Sequence, residues 1–120
     1  MTARPVLLLL LALLVPAAVS AQDHSRAIFQ SWIGRTLILE LPAGRGQVRF
    51  ETDSTSNLIT PTLTDSGRWR WDDAGPGWCV RWQKLRNGQE ACFTITSVGR
   101  DHYIVLKGTN EAASKVIEVK

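Results

Sequence analysis

The spacing of apolar positions changes along the chain, and each change marks a different kind of segment. Residues 6 to 15, "VLLLLLALLV", are apolar without interruption; Arg4 precedes them, and Pro16 and the small residues Val19-Ser20-Ala21 follow. A cation, a short apolar run and a small-residue site predict a secretory signal peptide over residues 1–21, cut after Ala21. A spanning helix needs roughly 20 apolar residues, so the mature chain is expected to have no stable membrane insertion.

A helical period follows. In "RAIFQSWI", residues 26–33, Ile28, Phe29, Trp32 and Ile33 fall on one side of a helical wheel, with Ser25 as a candidate cap and Gly34 as a stop. This predicts one short helix that lids something apolar.

From Thr36 the period becomes two. "TLILEL" puts Leu37, Leu39 and Leu41 on one face, Pro42 and "AGRG" interrupt, and "QVRFET" alternates again with Val48 and Phe50 inward. "NLITPTL" carries Pro61, which argues for an edge, a bulge or an irregular segment. "SGRWRW", the turn-rich "DDAGPG", the stretch "WCVRWQKLRNGQEACF", then "HYIVLK" and "KVIEVK" complete the chain. The expected fold is mainly β: a small antiparallel barrel or sandwich of six or seven strands with one short N-terminal helix. Residues 22–120 are expected to form a single β-domain, a common size for one compact unit.

Both cysteines lie in "WCVRWQKLRNGQEACF". A two-residue turn at Asn87-Gly88 would pair Cys79 with Thr96 and set the cysteines four residues out of step, beyond the reach of a disulfide. Pairing Cys79 with Cys92 instead sets Trp78 opposite Phe93, Val80 opposite Ala91 and Arg81 opposite Glu90, with a loop Lys84 to Asn87 built on a type I turn and Gly88 at its exit. An exported chain favours that staple. A redox pair needs Cys-x-x-Cys spacing, and a metal site needs further ligands that His24 and His102 are badly placed to give. Metal and cofactor are therefore expected to be none.

The same register, continued through a loop from Asp72 to Gly77, sets Trp71 opposite Trp78 and Trp69 opposite Val80. One face then carries Trp69, Trp71, Trp78 and Trp82 with Val80, Ala91, Phe93 and Ile95. Large aromatics of this kind fill a core; part of the stripe can instead line a barrel mouth or a ligand platform. The other face carries Arg68, Arg70, Arg81 and Glu90, either a solvated face with local pairing or a surface for an anionic ligand or partner. Asp72-Asp73 beside "AGPG" reads as turn chemistry.

Composition changes this picture little. Fourteen Lys and Arg stand against eleven Asp and Glu, thirteen once Arg4 leaves with the signal peptide, a surplus too small for nucleic acid. No nucleophile, base and orienting group cluster in the sequence, so an enzyme is not expected.

"GRW", "WCVRWQKLRNGQEACFTI" and "HYIVLK" together resemble small exported proteobacterial proteins in which a Gly-x-Trp strand precedes a two-cysteine hairpin. Gly67-Arg68-Trp69 bears a fainter likeness to lipocalin-like barrels, whose motif stands nearer the mature N-terminus. Bacterial protease-inhibitor barrels are similar in size and cysteine use. Export, the tryptophan stripe and the absence of a nucleophile, base and orienting group together lead to the expectation of a periplasmic or secreted, non-enzymatic monomer that binds a small ligand, an envelope component or a protein partner, with protease inhibition second and an enzyme third.

Overall fold

The computed structural model describes residues 24–109 and 112–120, so the expected signal peptide, residues 1–21, lies outside the described residues. A helix, α1, spans residues 24–32. Eight strands follow: β1 Thr36–Leu41, β2 Gly44–Phe50, β3 Thr55–Ile59, β4 Thr64–Trp71, β5 Trp78–Trp82, β6 Glu90–Val98, β7 Asp101–Leu106 and β8 Ala112–Val119. Each pairs antiparallel with the next, and β8 returns to β1, closing an up-and-down barrel.

The count of eight corrects the expected six or seven. "TSNLI" is a full member of the barrel, paired to β2 on one side and β4 on the other. Pro61 falls beyond its last residue, in the turn closed by Thr60 N–H to the Leu63 carbonyl at 2.7 Å, where a missing donor disturbs no ladder. Gly44-Arg45-Gly46 likewise begins β2 instead of breaking the sheet.

Alternation does what the period of two requires. Leu37 and Leu39, Val48 and Phe50, Trp69, Trp78, Val80 and Trp82, and Ile95 and Ile104 are all buried inside the ring of strands. Two glycines permit the close passage of β5 against its neighbours. A Cβ on Gly67 would strike the Arg81 carbonyl, and one on Gly77 the Phe93 carbonyl.

Helix α1 plugs the end of the barrel where β1, β3, β5 and β7 begin. Phe29 is fully buried and stacks on Trp78, ring centroids 4.1 Å apart, with Phe50, Trp69 and Trp71 around it at 5.0 to 5.3 Å. Trp32 meets Trp78 and His102 edge-on. Arg26 lies 4.8 Å over the Trp71 ring, which ties the solvent side of the helix to the barrel. Ser25 is not a cap: it lies within the helix, and its hydroxyl donates to the Ile95 carbonyl. Gly34 supplies the stop, with φ of +81°.

Candidate ligand cavity and outer-face clusters

The aromatic plug fills one end of the barrel, and a cavity opens among the apolar side chains beyond it. A cavity of about 370 Å³ is walled by Leu39, Val48, Phe50, Leu58, Val80, Phe93 and Ile104, with Trp78 at the plug end and Leu41, Trp82, Leu85 and Arg86 at the other. Its volume lies within the range of about 300–1,000 Å³ usual for small-molecule sites. The lining is apolar apart from the Ser114 hydroxyl and the Arg86 guanidinium at the rim.

The tryptophan stripe therefore divides. Trp69 and Trp71 are plug residues; Trp69 Nε1 also donates to the Glu51 carbonyl at 2.8 Å. Trp78 and Trp82 line the cavity. Trp78 serves both, and its Nε1 is buried with no acceptor among the described residues, as is Ser56 Oγ.

The rim is held by a residue that the sequence reading passed over. Asp65 occupies an inward-facing position on β4 and is buried. Its carboxylate accepts from the backbone N–H of Ser66 at 2.8 Å, of Lys84 at 3.1 Å and of Leu85 at 2.9 Å. Burial pushes the carboxyl up, but the bonds from Leu85, Lys84 and Ser66 outweigh it and hold Asp65 below the ordinary range. The anchored segment is a 3-10 turn, Leu85–Gly88, in which Arg86 and Asn87 both adopt φ of 54°. That geometry replaces the expected type I turn. Non-glycine residues enter this region at a cost, and the Asp65 clamp offsets it while directing Leu85 and Arg86 to the cavity.

On the outer face, the register of the quoted hairpin is the one expected: Cys79 with Cys92, Trp78 with Phe93, Val80 with Ala91 and Arg81 with Glu90. Cys79 and Cys92 form a disulfide. Asp72, Cys79 and Cys92 place their ligand atoms within 4.8 Å of one another, but the disulfide occupies both sulfurs. Asp72 is more than turn chemistry. It is buried, accepts from Ala74 N–H, and receives the Lys107 ammonium at 2.7 Å, which holds its carboxyl below the usual range against the effect of burial.

The three outer arginines are not equivalent. Arg70 makes a bidentate pair with Glu90, 3.0 Å from Nε and 2.7 Å from Nη2, which lowers the Glu90 pKa and raises that of Arg70. Glu90 thus pairs across β5 with Arg70 and not with Arg81 directly opposite. Arg81 instead donates to the Gly88 carbonyl at 3.1 Å. His102 Nδ1 lies 2.7 Å from Ser97 Oγ, and no described histidine joins a cluster of metal-ligating groups.

Comparison of the chain with protein-family models, curated proteins and solved structures finds no match. What stands is a small disulfide-stapled β-barrel, in which no described helix is long and apolar enough to cross a membrane.

Proposed function

We propose that this protein is an exported, non-enzymatic binding module that takes a small, largely apolar ligand into its barrel. The observation that carries this reading is the apolar cavity between the aromatic plug and the Leu85-Arg86 rim. An eight-stranded barrel has an interior that side chains just fill or that holds one small ligand, and here the plug fills only one end. The disulfide fits an oxidising compartment, periplasmic or extracellular. The resemblance to small exported proteobacterial proteins and to lipocalin-like barrels supports export and a barrel fold.

Trp78 and Trp82 provide the assay. N-phenyl-1-naphthylamine is expected to gain fluorescence with the protein and to quench tryptophan emission as it enters the cavity. Leu58→Phe, which adds bulk to the wall, is expected to abolish both signals while the protein still melts cooperatively. Probe binding unaffected by that substitution, or no binding at all, overturns the reading.

A further inference from the structure

The outside of the barrel carries two facing cations, neither of which forms a salt bridge among the described residues. Arg68 on β4 stands directly opposite Arg81 on β5, and both are exposed. Like charges directly opposite in a sheet destabilise it, so such a pair ordinarily draws in an acid. Here both nearby acids are held elsewhere. Glu90, opposite Arg81, feels its charge, but both carboxylate oxygens are taken by the bidentate pair with Arg70. Asp53 feels the charge of Arg68, but its Oδ1 accepts from both the backbone N–H and the hydroxyl of Thr55, at 3.0 and 2.6 Å. Among the described residues no hydrogen bond or salt bridge engages the Arg68 side chain, and Arg81 gives one nitrogen to a carbonyl.

The two guanidiniums border a groove of about 730 Å³ across β3, β4 and β5, whose other side-chain groups include Asn57, Ser66 and Gln83 and no acid. We infer that this groove is a second binding site, distinct from the interior cavity, for a phosphate monoester on a hydroxylated body such as a sugar. A phosphomonoester carries about −1.5 to −2 charges on three acceptor oxygens, which matches two adjacent guanidinium forks; a single carboxylate satisfies one. The groove is much larger than a phosphate group. Ser66 Oγ donates to Asn57 Oδ1 at 3.2 Å, and the side-chain amides of Asn57 and Gln83 still offer N–H donors, with oxygen acceptors beside them, to the hydroxyls of the attached body. This inference does not depend on the interior cavity.

The phosphate can belong to a free sugar phosphate or to a lipid headgroup, so the test has two arms. In the first, glucose 6-phosphate is titrated into the ¹⁵N-labelled protein, with glucose in parallel. In the second, phosphatidylcholine vesicles with and without phosphatidylinositol 4-phosphate are sedimented with it. The expected result in at least one arm is binding that needs the phosphate and, in the titration, moves the Nε–H signals of Arg68 and Arg81. The Arg68→Gln/Arg81→Gln double variant is expected to weaken it by about tenfold or more. Arg45→Gln/Arg100→Gln, the same change of charge elsewhere on the surface, is expected to change it by less than about twofold. Should the first variant fold poorly, each single Gln variant and the wild-type signal shifts decide. Equal weakening in both double variants, glucose binding as well as its phosphate, or no phosphate-dependent binding in either arm overturns the inference.

Discussion

Replacing Asp65 with alanine removes the contact that fixes the cavity rim. Three backbone donors lose one charged acceptor: Leu85 N–H at 2.9 Å, Lys84 N–H at 3.1 Å and Ser66 N–H at 2.8 Å. Hydrogen bonds to a charged group contribute about 1.5–3 kcal/mol each. Ser66 and Lys84 are exposed residues, where water can replace the lost acceptor, whereas Leu85 is partly buried. Counting the Leu85 bond in full and the other two in part gives a loss of about 3 kcal/mol. For a domain of this size that is a fall in Tm of about 12–24 °C. Asp65→Asn keeps one acceptor oxygen, but because both carboxylate oxygens are used it turns an amide N–H toward one of the backbone donors, and it is expected to lose about 2 kcal/mol. Thermal melts followed by circular dichroism at neutral pH supply the stability. Amide exchange at Lys84 and Leu85 supplies the location, because the rim segment should exchange faster in the alanine variant than the strands around it. An alanine variant that melts within about 4 °C of the parent, with unaltered exchange at both amides, refutes the assignment of Asp65 as the anchor.

Three further outcomes follow from the same contacts. Intact-mass and peptide analysis of oxidised protein should show Cys79 linked to Cys92 within one chain; Cys79→Ser/Cys92→Ser should keep the barrel's circular dichroism yet lose about 3 kcal/mol, the chain-entropy value for a loop of this length. Phe29→Ala should cost about 3–5 kcal/mol and shift tryptophan emission to longer wavelength as the plug loosens around Trp78, Trp69 and Trp71; an unchanged spectrum would show that α1 does not seal the barrel. Asp65, Asp72 and Glu90 all titrate below their ordinary range when folded, so the unfolded chain binds more protons in acid. Their contribution is therefore complete above the unfolded carboxylate values near about 4 and is lost as pH falls through the folded ones. Melts across that interval should show Asp72→Asn with a flatter acid limb than the parent, and equal slopes would exclude Asp72 as a contributor.

The parts of this fold legible in the sequence are those that depend on neighbours in the chain or on one hairpin. Alternation separated Trp69, Trp71, Trp78 and Trp82 from Arg68, Arg70 and Arg81, and cross-strand chemistry chose the register that joins Cys79 to Cys92. The strand β3 was obscured because Pro61 lies two residues past its end, where it shapes a turn instead of interrupting a ladder. The Asp65 clamp joins residues 19 and 20 positions apart, so no local period reveals it. One signal was present: a carboxylate at the inward parity of "DSGRWRW", in phase with Trp69 and Trp71. Glu90 and Arg70 meet across an intervening strand, a diagonal that pairwise register does not express. The cavity was hidden for a different reason. The same apolar positions describe a filled core or a lined space, and only the reach of Phe29 into one end decides between them.

Closure of the barrel leaves no free sheet edge, and the seam that achieves it is uneven. β8 is the strand whose ladders on both sides slip register, against β1 at Ile38/Leu39 and against β7 at Ile104/Val105. Bulges of this kind interrupt the ladder and leave a residue unpaired. Detachment of β8 would uncover two edges at once, along β1 and β7. Such edges template pairing with another chain. Substitutions that hold β8 in place are therefore expected to slow association of one copy with another through those edges, an effect separate from any gain in Tm made by improving the aromatic plug.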